Sequence, residues 1–243
     1  MANPIAFLAR RSAKRLADFA VSNPLIRWVW TGPGNEDYAN ALSEFRPTDR
    51  ESALEMMQGR YLLASKLVDT NGVSPFAVEM VHDDWFDDLQ AFAWLRHFRD
   101  ARNDEERGFA RSLTLDWIDR DGRYERTVWG LSLTAQRVLN WLRHFGILVE
   151  GANAEDAAVI ARSLGTQIQS LKLRAPFAED PVDRLMAAMA LLGVSICNQD
   201  RDAEISARLR AVTSLLDKQI DEDGLHRSRS AKVQLMLMVE LTT

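Results

Sequence analysis

The sequence has little of what disulfide-rich, cysteine-zinc or turn-rich folds require. A single cysteine, Cys197, in 243 residues excludes a disulfide framework and a cysteine-rich zinc site. The counts of 12 glycines and 7 prolines are low, which favours helices over a turn-rich β fold. No apolar run approaches the roughly 20 residues of a membrane-spanning helix, and the four histidines lack metal-ligand spacing. We therefore expect a mostly helical protein with no metal, no cofactor and no integral membrane segment.

Charge and the N-terminus constrain partners and location. The net charge of −5 at pH 7 argues against non-specific binding of nucleic acid, which needs a basic face. A short apolar run, Ile5–Ala9, is followed rather than preceded by basic residues, which does not fit a signal peptide. We expect a cytoplasmic location, with the periplasm or cell envelope as the alternative.

The first 80 residues predict an N-terminal helix, an irregular segment and a β-hairpin. Residues 4–21 have the pattern of an amphipathic helix, which packs on the domain or, as the less favoured alternative, lies on a membrane surface. A short helix is predicted from Thr48 to Gln58. Tyr61–Val68 has the composition of a strand, and an Asn71-Gly72 turn then predicts a returning strand over Ser74–Met80.

Residues 81–243 are predicted to form a second, helical domain. Two identical pentamers, Trp94–Phe98 and Trp141–Phe145, lie 47 positions apart, a spacing that fits one helical hairpin per repeat. We therefore predict an all-α fold, an incomplete α/α toroid of antiparallel hairpins, with the small β-hairpin near its N-terminus. The last apolar pattern runs to Thr243 without a capping signal, so we expect a longer parent chain. The predicted helices are 84–101, 104–120, 131–147, 154–174, 181–198, 202–220 and 229–241.

Several residues that can carry chemistry have structural explanations. His97 and His144 share helical faces with aromatic residues, which is typical of buried structural histidines. The aspartates around Asp84 and Asp87 are placed to complement the macrodipole at a helix start rather than to bind metal. Cys197 lies among apolar residues and is predicted to belong to the core.

A set of polar residues is more informative about function. Arg137 and Asn140 are three apart on one predicted helix and share a face. Such residues suit an anionic sugar, although interhelical hydrogen bonds and solvated loop charges explain them equally well. The set consists of Arg137, Asn140, Gln167, His226, Arg227 and Arg229.

Four segments in order carry a family resemblance: Asp84–His97, Ala135–Trp141, Ser163–Gln167 and Gln219–Ser228. Together they resemble the helical domain of the heparinase II/III-like family of polysaccharide lyases, over about residues 80–243. The resemblance implies an α/α toroid followed by an antiparallel β-sandwich domain that is absent from this chain.

The family resemblance also implies a reaction. Members cleave uronic-acid polysaccharides by β-elimination, which needs a group that neutralises the uronate carboxylate, a base and an acid. The helical domain of active members supplies an Asn-His pair and a Tyr-His pair. Here those positions fall on Asp180-Pro181 and Val233-Gln234, which cannot perform these roles.

Three hypotheses remain open. In the first, the protein is a lyase with a divergent site in which His226 is the catalytic base. Arg137 or Arg227 would then pair with the carboxylate, and Asn140, Gln167 and Arg229 would contact the acidic polysaccharide. In the second, the toroid binds such a glycan without cleaving it, and in the third it is a structural scaffold.

Overall fold

The structure is a computed structural model that describes residues 4–23, 31, 34, 38, 41–78, 84–101 and 103–242, with the backbone alone for 4–11. It is mostly helical, as predicted. The α-helices are α1 Pro4–Ser22, α2 Arg50–Met57, α3 Asp84–Gln90, α4 Asp104–Asp121, α5 Leu131–Arg143, α6 Phe145–Val149, α7 Ala154–Arg174, α8 Pro181–Cys197, α9 Asp202–Gln219 and α10 Ala231–Leu241. Short 3₁₀ helices cover Pro75–Ala77, Ala93–Phe98 and Ala175–Phe177.

Side-chain caps determine where the long helices begin. The Asn153 side chain accepts a hydrogen bond from the Asp156 N–H at 2.8 Å, and α7 starts at the next residue. Asp180 accepts from the Val182 N–H at 2.7 Å and precedes Pro181, the first residue of α8. Because such caps satisfy backbone groups that a helix start leaves free, both boundaries were predictable, and both predictions are confirmed.

The predicted β-hairpin exists, but its strands lie elsewhere. Tyr61–Val68, predicted as one strand, contributes to both: β1 spans Arg60–Leu63 and β2 spans Lys66–Asp69, paired antiparallel. Ala64 and Ser65 form the turn with positive φ angles of 48° and 63°. The predicted returning strand Ser74–Met80 is wrong, since Ser74 caps the first 3₁₀ helix; residues 79 and 80 lie outside the described residues.

The predicted helix over 84–101 is interrupted. After α3, Phe92 adopts a left-handed φ of 60°, and the chain continues as a 3₁₀ helix. The first pentamer, Trp94–Phe98, lies in that 3₁₀ helix, whereas Trp141–Phe145 spans the end of α5 and the start of α6. The two pentamers therefore have different local structures. The predicted helix 131–147 is also interrupted. His144, within the second pentamer, separates α5 from α6.

Helix α8 lies at the centre of the helical packing and contacts both α5 and α9. The main partner of α5 is thus a helix far along the chain rather than its sequence neighbour. Met56 of α2 and Tyr61 of β1 belong to the same buried core as these helices. The division at residue 80 and the incomplete toroid stay predictions. None of the helices within the described residues has the length and apolar character needed to cross a bilayer.

Candidate functional site

The six residues predicted to form one site fall into two groups. Arg137, Asn140 and Gln167 lie on α5 and α7 in the protein interior, while His226, Arg227 and Arg229 lie on the loop between α9 and α10. Asn140 alone among the six lines the cleft described below. The predicted substrate-binding and catalytic roles of all six stay predictions.

Arg137 is fully buried, and its donors are used within the core. Its Nε donates to Gln167 Oε1 at 2.7 Å, and its Nη1 donates to the Gln90 carbonyl at 2.9 Å. The Val128 carbonyl accepts from both terminal nitrogens at 3.3 Å. The guanidinium carbon lies 4.4 Å from the centre of the Trp117 ring, a cation–π distance. Burial lowers the pKa of Arg137 to about 9, and the surrounding contacts give this residue a structural role.

Gln167 and Asn140 take part in the same interior packing. Gln167 is fully buried, and its Nε2 has no hydrogen-bond partner among the described residues. Asn140 donates to the Ala91 carbonyl at 2.8 Å, while its Oδ1 accepts from Arg46 at 2.7 Å and from Arg143 at 3.2 Å. Asn140 therefore connects two cations to the backbone that follows α3.

His226 is buried and hydrogen-bonded through both ring nitrogens. Its Nδ1 accepts from the Ser228 N–H at 3.1 Å, which leaves Nε2 to donate to Gln219 Oε1 at 3.0 Å. Its backbone N–H donates to Gln234 Oε1 at 2.7 Å. These bonds join the end of α9 to the start of α10. Both ring nitrogens of His226 are therefore engaged by neighbouring residues.

The arginines beside His226 face acidic groups. Arg229 pairs with Asp221 at 2.5 Å, and it adopts a left-handed φ of 54°. Arg227 and Arg229 line a cavity of about 850 Å³ whose other charged residues are all acidic: Asp217, Asp221, Glu222 and Asp223. This cavity carries more negative than positive charge.

A larger cleft, of about 960 Å³, lies between α5 and α10, and we call it the α5–α10 cleft. Residues of α3, the hairpin turn and the start of α8 complete its walls. Its lining is partly apolar, with Leu131, Leu133, Val182, Val233, Leu235, Met236 and Val239. Its charged residues are Arg46, Asp84, Asp87, Asp88, Asp180, Asp183, Lys232 and Glu240.

Carboxylates outnumber cations in the α5–α10 cleft, and two of them have altered acidity. Burial raises the pKa of Asp88, which accepts the Ala64 N–H at 3.1 Å. Burial and the nearby Asp180 raise the pKa of Asp183, which accepts the Ser132 N–H at 3.2 Å. The hydrogen bonds from the backbone orient both carboxylates at the cleft wall.

The family resemblance implies catalytic pairs at Asp180-Pro181 and at Val233-Gln234. The first residue of each pair lies in this cleft. Asp180 and Val233 both line it, although they are 53 positions apart in the sequence, and Asn140 lines it as well. Asp180 is occupied as the cap of α8, and a valine side chain transfers no proton. Residues from separate parts of the sequence thus share one cavity, and neither Asp180 nor Val233 has the side chain that the resemblance implies for elimination.

A buried ionic network lies under Asn140. Arg46 forms a two-pronged pair with Glu44 at 2.8 and 2.5 Å, and Arg143 pairs with Glu240 at 2.5 Å. Burial alone would favour neutral Glu44, but hydrogen bonds from Arg46 outweigh it and hold the pKa of Glu44 well below its usual range. The same contact raises the pKa of Arg46 despite its burial. Arg46 and Glu240 also line the cleft, so the network fixes part of its floor.

Sequence reasoning missed this network. Arg46 and Asn140 are 94 positions apart, and Arg143 and Glu240 are 97 apart. Glu44 and Arg46 come from a segment without helical or strand periodicity. These contacts could not be predicted from the sequence, because the residues of each pair come together only in the folded chain.

The remaining predictions about single residues are consistent with packing roles. His144 is buried with its Nε2 at 3.4 Å from Glu44 Oε2, and burial lowers its pKa. His97 accepts the Asp49 N–H through Nδ1 at 3.1 Å, and burial lowers its pKa to about 4. Cys197 is buried in the core, as predicted. Among the described residues, no group of three acidic, histidine or cysteine side chains is placed to hold a metal ion.

Comparison with known protein families, with curated proteins and with solved structures found no match.

Proposed function

We propose that this protein is a polysaccharide-binding helical module related to the heparinase II/III-like lyases and that the sugar chain lies in the α5–α10 cleft. One observation carries the proposal: Asn140, which belongs to a resembling segment, shares a single cleft with Asp180 and Val233, which stand where the resemblance places the family's catalytic pairs. The three residues lie far apart in the sequence. Their convergence on a cavity of about 960 Å³ is what a shared binding site requires.

The lining favours binding over cleavage. β-Elimination needs a group that neutralises the uronate, together with a base and an acid. Asp180 is engaged in capping α8, Val233 has no proton to exchange, and His226 has both nitrogens engaged. Carboxylates such as Asp88 and Asp183 instead accept hydrogen bonds from sugar hydroxyls, and the apolar wall contacts the carbon faces of the rings.

The charges limit which polysaccharide fits. The cations of the cleft are Lys232 and Arg46. Lys232 is exposed and can pair with a carboxylate of a uronic acid, whereas Arg46 is already paired with Glu44. The more numerous aspartates repel a polymer that carries several sulfates per disaccharide. The expected ligand is therefore an unsulfated uronate polymer, such as alginate or a capsular uronan, rather than heparan sulfate.

Calorimetric titration of the full chain with size-defined oligosaccharides tests the proposal. We expect binding of alginate or uronan oligomers and weaker binding of heparan sulfate oligomers. Lys232→Glu should weaken binding about tenfold or more, because it replaces an exposed cleft cation that pairs with Asp84. Lys218→Glu, at an exposed position near the end of α9, is the matched control and should leave binding unchanged.

Two outcomes would contradict the proposal. Absence of binding to every uronate polymer, with the protein folded, would leave the scaffold hypothesis. A rise in ultraviolet absorbance from unsaturated uronate during incubation would show that elimination occurs and that the site is catalytic. In that case a His226→Gln variant would decide whether the loop histidine is the base.

A further inference from the structure

Helix α1 is attached to the protein along one side and leaves another side apolar and exposed. Ala17 and Val21 are buried, and the helix packs on α7 and on the 3₁₀ helix Ala175–Phe177. Leu16 and Phe19 have 67% and 56% of their surface exposed. Residues three apart lie on the same side of a helix, so these two large side chains form one apolar patch.

In the sequence, the spacing of Leu16 and Phe19 extends toward the N-terminal end of the helix. Positions 5, 8, 12, 16 and 19 follow the 3-4-4-3 spacing of one helical side and carry Ile, Leu, Ser, Leu and Phe. The backbone is helical from Pro4 to Ser22, so the spacing is that of a continuous helix. An exposed apolar patch such as that of Leu16 and Phe19 is typical of an interaction surface.

Charge indicates what the partner is. Within α1 the basic residues Arg10, Arg11, Lys14 and Arg15 outnumber the single acidic residue, Asp18. The helix therefore carries a formal charge of +3, while the whole chain carries −5 and the remainder −8. Arg15 is exposed beside Leu16. An anionic surface attracts this helix and repels the rest of the protein, which orients the molecule.

We propose that α1 docks the protein on an anionic lipid surface. Leu16 and Phe19 enter the boundary between headgroups and acyl chains, and the exposed Arg15 beside them pairs with the lipid phosphates, as in interfacial amphipathic helices. The ion pair of Lys14 with Glu179 at 3.2 Å helps hold the helix on the body while its outer side meets the lipid. This role is independent of the glycan proposal, because the cleft residues are not part of α1.

Co-sedimentation of the full chain with vesicles tests the proposal. We expect binding to phosphatidylglycerol–phosphatidylcholine vesicles that weakens steeply as salt rises, and little binding to pure phosphatidylcholine. The variant Leu16→Ser, Phe19→Ser should reduce binding at least tenfold, and Arg15→Glu about fivefold or more. Leu209→Ser, which removes a similarly exposed leucine from α9, is the matched control and should bind like the parent.

Three results would overturn the proposal. The first is equal binding by the Leu16, Phe19 double variant. The second is equal binding to neutral and anionic vesicles. The third is a concentration-dependent dimer in light scattering that the double variant abolishes, with no vesicle binding, which would assign the patch to a second copy of the chain.

Discussion

Replacing Arg137 with alanine should unfold the protein more readily rather than remove a ligand contact. The substitution deprives Gln167 Oε1 and the carbonyls of Gln90 and Val128 of their buried donor. A buried polar group left without a partner costs about 1–3 kcal/mol, and the loss of stacking on Trp117 and the cavity add to this. Removing Arg137 also removes the cost of burying its charge, which offsets part of this loss of stability. The net expected loss is about 3–5 kcal/mol.

Denaturant titration followed by tryptophan fluorescence measures this loss. For a chain of this size, each kcal/mol lowers Tm by about 2–4 °C, so the expected decrease is about 10 °C. Arg137→Lys should also destabilise, because a lysine keeps the charge but not the planar fork. Arg227→Ala, at an exposed position, is the control and should stay within about 0.5 kcal/mol. An Arg137→Ala protein of unchanged stability that no longer binds glycan would refute the structural role.

Three further predictions concern stability. Glu240→Ala takes the carboxylate from buried Arg143 and should cost about 3 kcal/mol in a urea titration; a cost below about 1 kcal/mol would contradict a tightly buried pair. Because the pKa of His97 falls to about 4 on folding from an ordinary 6.5, the unfolded chain binds its proton first. Stability should then be full above pH 6.5 and decline as pH falls toward 4. The shift corresponds to about 3 kcal/mol, and because solvent screens the partly exposed His97 ring, the expected decline is about 2 kcal/mol. The decline in stability should be absent in His97→Gln. If it persists in that variant, another titrating group causes it. Asp180→Ala should lower the free energy of unfolding by about 1 kcal/mol through loss of the α8 cap, with Asp180→Asn close to the parent.

The fold was predictable where local chemistry decides it. Asn153 and Asp180 carry their own capping oxygens, so the starts of α7 and α8 follow from neighbouring residues. The Ala64–Ser65 turn was not predictable, because neither residue is a usual choice for positive φ. The break at Phe92 likewise depends on the burial of that ring among other aromatic side chains from distant elements.

The sequence identified one of the residues that line the α5–α10 cleft, but it did not identify the cleft. Asn140 lines the cleft, and the fold brings Asp180 and Val233 to the same cavity. Arg137 and Gln167 have the polarity of ligand-binding residues, yet the fold uses them in the core. Polarity on an apolar helix face marks buried hydrogen bonds as readily as a binding site, and sequence alone does not separate the two.

The bond between Asp88 and the Ala64 amide connects the hairpin turn to the wall of the cleft. The Asp88 carboxylate lines the cleft and also accepts the amide of the turn at 3.1 Å, so a ligand that recruits this carboxylate competes with the turn for it. Thermodynamic linkage requires the reverse as well: whatever loosens the turn alters the affinity of the cleft. Hydrogen exchange at the Ala64 amide should therefore report occupancy of the cleft without any added label.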